Sequence, residues 1–191
     1  MGIADLDRTA AVFLDRDGVL NATHADSDGV SRPPESADAL VVLPGVVDSC
    51  LALRGAGFRL IVVTNQPDVA RGVQRREIVE EINIALSSKV PVDEILVCYH
   101  DDAHRCSCRK PNPGLLHQAA QRWAIDLSKS FMVGDRWRDV EAGRRAGCRS
   151  VLIAEASGER DLCAPDYTAS SLSIAADWIL AQDESCQEGR G

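Results

Sequence analysis

Residues 11–21, AVFLDRDGVLN, decide the fold of this chain: a short apolar run is followed at once by two carboxylates and a glycine. A continuous apolar run such as 11–14 is typical of a parallel strand that is buried on both faces. Four similar runs follow, at 59–64, 94–98, 131–133 and 150–154. Segments with helical spacing separate them, at about 45–55, 75–88, 114–124 and 138–146. This order predicts an α/β fold: a single doubly wound, mostly parallel sheet with helices on both faces.

Polar residues follow the strands of this predicted sheet, at the point where each strand ends. They are Asp15 and Asp17 after the first strand, Thr64, Asn65 and Gln66 after the second, Lys110 in the loop after the third, and Asp135, Arg136 and Asp139 after the fourth. Ligands of open α/β sheets bind beyond the carboxyl ends of the strands, so the pattern predicts one shared site. Clustered carboxylates need a cation, and Mg²⁺ prefers oxygen ligands. The sequence therefore indicates a magnesium site.

The same residues suit phosphoryl transfer, in which catalysis is mainly positioning and charge neutralisation. One carboxylate can attack phosphorus and form an aspartyl phosphate. A second can protonate the leaving oxygen and later deprotonate water. Lys110 and the Thr64 hydroxyl can hold the phosphoryl oxygens. Each motif alone also fits a solvated turn or a helix cap, but their occurrence in order at successive strand ends favours a functional site.

Metal-ligating side chains crowd the loop before Lys110. They are Cys98, His100, Cys106 and Cys108. In a reducing compartment such a cluster favours metal ligation over disulfide bonding. A Cys₃His set suits tetrahedral Zn²⁺ and leaves no position for water, so the predicted zinc is structural. The alternatives are three buried thiols beside a surface histidine, or His104 as the imidazole ligand. Because Arg109 and Lys110 follow Cys108 directly, ligation of that thiol would fix the direction of both cations.

Length and charge limit the remaining possibilities. The 191 residues favour one domain, at 1–182 with the zinc loop at 98–108, followed by a flexible C-terminal tail at 183–191. The net charge of −8 argues against a nucleic-acid partner, whereas a small anion needs only a few cations in a pocket. No apolar run approaches the about 18–20 residues of a membrane helix, and the first residues do not resemble a signal peptide. The sequence predicts a cytoplasmic protein with no membrane partner.

The motifs resemble those of the haloacid dehalogenase (HAD) superfamily of phosphatases. The match covers 11–155 and comprises Phe13–Val19, Thr64 with Asn65, Lys110, and Gly134 and Asp135 with Asp139. This resemblance implies a HAD-like fold with a minimal cap. It also implies that Asp15 is the nucleophile and Asp17 the general acid and base. Magnesium would be held by Asp15, Asp135 and the backbone carbonyl of Asp17.

A narrower resemblance is to the heptose-bisphosphate and histidinol-phosphate phosphatases of that superfamily. It rests on DRDGVLN at 15–21, TNQ at 64–66 with ARG at 70–72, and RKPNPG at 109–114 after the cysteines. It implies a monomeric enzyme that removes the 7-phosphate of a heptose 1,7-bisphosphate in nucleotide-activated heptose synthesis. Substrate contacts are then expected from Asn65, Gln66, Arg109, Lys110 and Arg136, with Arg109 reading the distal phosphate.

Alternatives remain open at this point. Another phosphatase of small phosphorylated molecules, such as histidinol phosphate, shares much of the pattern. A receiver-like phosphoacceptor domain, which is not an enzyme, also uses acidic residues, a Thr and a Lys, but its phosphorylated Asp follows the third strand. The chain also departs from the heptose branch at Pro67 and Asp68, where Ser and Gly are usual, and in the long polar loop at 22–40. Pro67 lacks an N–H for phosphate, and Asp68 adds a negative charge.

Overall fold

The computed structural model describes residues 9–25, 31–154 and 164–188. Its strands are β1 (Ala11–Leu14), β2 (His24–Ala25), β3 (Ser31–Arg32), β4 (Arg59–Asn65), β5 (Glu94–Cys98), β6 (Phe131–Gly134), β7 (Arg149–Ile153) and β8 (Tyr167–Ala169). Its α-helices are α1 (Val46–Gly55), α2 (Pro67–Ala70), α3 (Arg76–Lys89), α4 (Gly114–Trp123), α5 (Trp137–Ala146) and α6 (Leu172–Glu188). The five predicted strands correspond to β1, β4, β5, β6 and β7. The four predicted helices correspond to α1, α3, α4 and α5.

Six of the strands form one parallel sheet in the order β5-β4-β1-β6-β7-β8. The predicted doubly wound α/β fold is therefore confirmed. The chain leaves β1 toward β4 and β5 and then returns to the other side of β1 with β6. This reversal creates a crevice beyond the carboxyl ends of β1 and β6, where α/β sheets bind ligands. Asp15 and Asp135 lie directly after those two ends.

Side chains from the two faces of the sheet pack into two separate cores. On β1, Val12 and Leu14 join a core with buried residues of α1, α3 and α6, whereas Phe13 joins a core with α4 and α5. All four residues of β1 are fully buried, and burying each large apolar side chain contributes about 1.5–3 kcal/mol. Layers on both faces thus hold the central strand rigidly, and with it the start of the Asp15 loop.

Two regions differ from the simple alternation of strands and helices that the sequence predicts. Within the 22–40 loop, β2 and β3 pair antiparallel as a short hairpin, and residues 26–30 lie outside the described part. At the other end of the chain, strand β8 extends the sheet beside β7. Helix α6 packs against α1 on one face of the sheet. Helix α6 continues to Glu188, so it includes residues 183–188 of the predicted tail, and 189–191 are not described. Among the described residues, no helix is long and apolar enough to cross a membrane.

Candidate active site

A buried lysine pairs with two carboxylates at the floor of the crevice. The Nζ atom of Lys110 lies 2.6 Å from Oδ1 of Asp15 and 2.6 Å from Oδ1 of Asp139, and it donates a 2.7 Å hydrogen bond to the Val63 carbonyl. The Lys110 and Asp139 side chains are only 3% and 4% exposed. The prediction that residues after β1, β5 and β6 meet at one edge of the sheet is therefore confirmed.

Burial and crowding shift the pKa values of these groups. Burial raises the pKa of Asp15 to about 6, against the opposing effect of Lys110, and the neighbouring Asp139 and Asp17 raise it further. Burial also raises the pKa of Asp135 to about 8, with further contributions from Asp15 and Asp139. Burial alone would lower the pKa of Lys110, but the two carboxylates raise it above its usual value. The lysine thus carries a fixed positive charge. That single charge does not offset the burial and mutual repulsion of the carboxylates, so the pKa values of Asp15 and Asp135 stay raised.

Gly18 allows Asp135 to lie against the turn that follows β1. Its φ of +86° suits glycine, and a Cβ atom at this position would lie 2.4 Å from Oδ2 of Asp135. The other oxygen, Oδ1 of Asp135, is buried without a hydrogen-bond partner among the described residues. Carboxylate oxygens of Asp15, Asp135 and Asp139 lie within 4.8 Å of one another. An orphaned oxygen beside two more carboxylates is the donor set that a hard divalent cation fits.

Asp17 is held by hydrogen bonds from three neighbouring side chains. Its Oδ1 accepts from Arg16 Nε (3.2 Å) and Asn21 Nδ2 (3.0 Å), and its Oδ2 accepts from Arg16 Nη2 (3.0 Å) and Gln66 Nε2 (2.8 Å). Gln66 Nε2 also lies 2.9 Å from the hydroxyl oxygen of Thr64. Gln66 was predicted to bind substrate, and in this structure its amide joins Asp17 to Thr64 across two strand ends.

Asn65 was also predicted to bind substrate; it lines the cleft, and its side-chain amide pairs with the backbone of Lys110. Its Nδ2 donates to the Lys110 carbonyl at 3.0 Å, and its Oδ1 accepts from the Lys110 N–H at 3.1 Å. This reciprocal pair fixes the start of the loop that carries Lys110 against the end of β4. The structure therefore assigns the side chain of Asn65 a positioning contact.

The predicted cysteine and histidine cluster forms beside this loop. The Sγ atoms of Cys98, Cys106 and Cys108 lie 3.2–3.7 Å from one another. Nδ1 of His100 lies 3.3 Å from Cys108 Sγ and 3.7 Å from Cys98 Sγ. His104 instead pairs with Asp101 at 2.6 Å and lies outside the four-residue group. These separations exclude disulfides and bring four ligand atoms into the space of one metal ion.

Arg109 is fixed by the same loop and faces the crevice. Its Nε donates to Asp102 Oδ1 at 2.9 Å and its Nη1 to the His100 carbonyl at 3.3 Å. The hydrogen bond from Arg109 lowers the pKa of Asp102, and Arg138 approaches the same carboxylate at 3.9 Å. The backbone carbonyl of His100, a residue of the cluster, therefore helps Asp102 to orient the guanidinium of Arg109. This guanidinium was predicted to bind the distal phosphate.

The crevice is a cleft of about 260 Å³ with basic walls. Its lining includes Asp15, Asp17, Thr64, Asn65, Gln66, Arg109, Lys110 and Arg136, all of which were predicted from the sequence. Asp68 also lines it, and Arg71 and Arg32 approach that carboxylate at 3.3 Å and 3.9 Å. The unusual negative charge of Asp68 is thus countered by two cations.

Sequence reasoning missed several residues of the site. The ion pair between Asp139 and Lys110, the buried Arg16, and the rim cations Arg32 and Arg138 were not assigned. For the ion pair of Asp139, one signal was available: Asp135 and Asp139 are four residues apart across the start of a helix. No local signal marks the others, because Asn83 for Arg16, Asp68 for Arg32 and Asp102 for Arg138 are partners distant in the sequence.

Comparisons with known proteins agree with this geometry. A family model described as HAD-hydrolase-like matches residues 107–175. The D-glycero-beta-D-manno-heptose-1,7-bisphosphate 7-phosphatase of Pseudomonas aeruginosa is 35% identical over 81% of this chain and 86% of the relative. The Yersinia pestis protein of the same name is 34% identical over 89% of each chain.

Solved structures show the same similarity. The D,D-heptose 1,7-bisphosphate phosphatase of B. bronchiseptica, crystallised with magnesium and phosphate, superposes with a TM-score of 0.77 at 31% identity. The alignment covers 91% of this chain and 99% of that one. The Burkholderia thailandensis enzyme of the same name gives a TM-score of 0.63 at 25% identity over 90% and 98% of the chains.

Proposed function

This chain belongs to the heptose-1,7-bisphosphate 7-phosphatase family of HAD-like hydrolases, and on that premise we propose that it removes the 7-phosphate of D-glycero-D-manno-heptose 1,7-bisphosphate. The product would enter the synthesis of nucleotide-activated heptose. The observation that carries the proposal is the pairing of buried Lys110 with Asp15 at the floor of a cleft walled by arginines. This arrangement suits a substrate with one phosphate at the floor and another at the rim.

Asp15 is the proposed nucleophile. With a pKa of about 6 its carboxylate is ionised at neutral pH, and the 2.6 Å contact with Lys110 fixes its orientation. Attack on phosphorus forms an aspartyl phosphate as the bond to the sugar oxygen breaks. The Lys110 ammonium and the Thr64 hydroxyl would stabilise charge on the phosphoryl oxygens.

Asp17 is the proposed proton carrier. It gives a proton to the C7 oxygen as that oxygen leaves, and in the second step it accepts a proton from the water that attacks phosphorus and releases Asp15. Its side chain is 17% exposed and lines the cleft. The position of Asp17 in the lining of the cleft beside Asp15 supports this role, because a general acid must lie within reach of the leaving oxygen.

We propose that Mg²⁺ is held by Asp15, Asp135 and the backbone carbonyl of Asp17. The orphaned Oδ1 of Asp135 and the raised pKa values of Asp135 and Asp15 support this, because both indicate carboxylates that lack a cation. When bound, the ion would neutralise charge on the phosphoryl group.

We propose a structural zinc at the second cluster, ligated by Cys98, His100, Cys106 and Cys108. A tetrahedral ion with Zn–S bonds of about 2.3 Å has S–S edges of about 3.8 Å, and the observed separations of 3.2–3.7 Å are close to that value. Four protein ligands leave no open position. The zinc would hold the loop from which Arg109 and Lys110 reach the cleft.

The distal phosphate is proposed to bind Arg109, with Arg136 as a further cation in the lining of the cleft. Arg109 is oriented by Asp102 and the His100 carbonyl, so little side-chain entropy is lost on binding. Histidinol phosphate carries an amine where the heptose carries this phosphate, so an arginine here disfavours it electrostatically.

The proposed enzyme acts as a monomer in the cytoplasm, a reducing compartment. The free thiols of Cys50, Cys98, Cys106, Cys108 and Cys148 support the compartment. Sedimentation of the purified protein and fractionation of cells that produce it test these two points.

The function is tested by Mg²⁺-dependent phosphate release from the α and β heptose 1,7-bisphosphates, with histidinol phosphate measured in parallel. We expect strong preference for one bisphosphate anomer, and no turnover by a folded Asp15→Asn variant. Activity on histidinol phosphate alone would reject the substrate. Appreciable activity of Asp15→Asn would reject the nucleophile.

A further inference from the structure

Arg16 lies between the two carboxylates of the first motif and is fully buried, at 0% exposure. A buried guanidinium is costly unless it is paired and its hydrogen bonds are satisfied. Two of its nitrogens, Nε and Nη2, donate to Asp17 at 3.2 and 3.0 Å. The third, Nη1, donates to Oδ1 of Asn83 at 2.8 Å.

Asn83 is a polar residue on the inward face of α3. The other buried residues of that helix are Val79, Ile82 and Leu86, and Asn83 itself is 8% exposed. Burying a side-chain amide among apolar residues costs free energy unless the amide makes a hydrogen bond. Its carbonyl oxygen meets Arg16 across a sequence separation of 67 residues.

We propose that Arg16, anchored by Asn83, is a positioning residue that sets the direction of the Asp17 carboxyl for proton transfer. The planar guanidinium binds a carboxylate as a rigid two-pronged fork. A fork held at its third nitrogen by a packed helix defines the plane of that carboxylate. The orientation is thus transmitted from the core through α3 and Asn83 to Arg16 and Asp17. This inference rests on the proposed function, because it assumes that Asp17 transfers a proton.

The proton balance assigns Arg16 no chemical step. In the first half-reaction, the bond between phosphorus and the sugar oxygen breaks, a bond from Asp15 forms, and Asp17 delivers its proton to the departing oxygen. In the second, water attacks phosphorus, the bond to Asp15 breaks, and Asp17 receives a proton from the water. Arg16 keeps its own protons throughout and acts only on the geometry of Asp17.

Leaving-group dependence distinguishes positioning of a general acid from general destabilisation. A sugar alkoxide is a poor leaving group and needs the proton from Asp17, whereas p-nitrophenolate departs without one. The parameter kcat/KM reports the first half-reaction, in which the leaving group departs. Loss of general-acid catalysis costs about 10²–10⁴-fold, and misdirection of the acid should cost a part of that.

The experiment compares Asn83→Ala and Arg16→Lys with the wild-type holoenzyme on heptose 1,7-bisphosphate and p-nitrophenyl phosphate. Lysine keeps the charge of Arg16 but loses the fork. We expect both variants to lose about 10–100-fold in kcat/KM on the sugar phosphate but less than about threefold on the aryl phosphate. The ratio of the two values cancels any loss of folded enzyme. Ile84→Ala, at a neighbouring position 70% exposed on α3, should leave both values unchanged.

The outcomes separate this inference from the proposed function. Equal losses on the two substrates in either variant would overturn the positioning role and leave the phosphatase assignment intact. A wild-type enzyme that cleaves the aryl phosphate but no sugar phosphate would reject the proposed substrate instead. A selective loss on the sugar phosphate in both variants would support the inference.

Discussion

The close approach of Asp135 to Gly18 makes Gly18→Ala the most informative single substitution in the site. The new Cβ would lie 2.4 Å from Oδ2 and 2.9 Å from Cγ of Asp135, where ordinary contact begins at 3.4 Å. The carboxylate must therefore retreat by about 1 Å, a misplacement that can cost about 10²-fold in rate. In addition, an L-residue at a φ of +86° adds about 1–2 kcal/mol of backbone strain.

Gly147→Ala separates these two effects. Gly147 has a φ of +85°, and a Cβ there would have no neighbour within 4 Å. Backbone strain should lower the Tm of Gly147→Ala by about 2–8 °C for a domain of this size, and Gly18→Ala should lose at least as much, because it adds the contact with Asp135. Only Gly18→Ala should lose activity.

The assay is the initial rate of phosphate release as a function of Mg²⁺ concentration, with Tm measured on the same preparations. We expect kcat of Gly18→Ala to fall about 100-fold and its half-saturating Mg²⁺ concentration to rise. Gly147→Ala should retain near wild-type kcat. If Gly18→Ala stays within about threefold of Gly147→Ala, the bare Cα atom is not what admits Asp135, and the reasoning is refuted.

Three further predictions concern Arg109, the cysteine and histidine cluster, and Asp135. Arg109→Ala should raise KM for the bisphosphate about 10–100-fold, because charge-assisted hydrogen bonds of about 1.5–3 kcal/mol are lost. KM for a sugar monophosphate should rise far less. Equal increases in KM for the two substrates would argue against distal-phosphate binding by Arg109. Elemental analysis should find one zinc per wild-type chain and less in Cys108→Ser, with Cys148→Ala as the control; a metal-free wild type would reject the zinc site. Without Mg²⁺, the folded state keeps a proton on Asp135 up to about pH 8, whereas the unfolded state has already lost it. The free energy of unfolding should therefore fall as pH rises from 6 to 8. If Tm falls as steeply with pH in Asp135→Asn, this assignment is contradicted.

The parts of the fold that sequence could predict are those with local causes. Strands such as β1 and β4 are continuous apolar runs, and the chemistry-bearing residues directly follow them, so both are visible in short windows. The prediction failed to identify β8 and α6, at the end of the chain. The three-residue strand β8 is too short for a periodic pattern, and the inward face of α6 is partly alanine, as at Ala175 and Ala176.

Side-chain roles were harder to predict than element boundaries. Gln66 and Asn65 were expected to contact substrate because they follow a strand end beside the nucleophile. Both residues line the cleft, and their amides also bind Asp17 and the Lys110 backbone, partners 49 and 45 residues away along the chain. A single sequence gives the direction of neither amide, because it contains no information about which loop crosses above each strand end.

The charges of the cleft resolve the apparent conflict between an acidic protein and a substrate that carries two phosphate groups. Six cations line it against four carboxylates, in a chain whose net charge is −8. Two of those cations share Asp68 and two approach Asp102, so each aspartate holds a pair of arginines in place while leaving that wall net positive. Exposed charges more than about 8 Å away are largely screened at physiological salt. A phosphate at the rim therefore responds to the guanidinium pairs beside it, and the acidic remainder of the surface has little effect on binding.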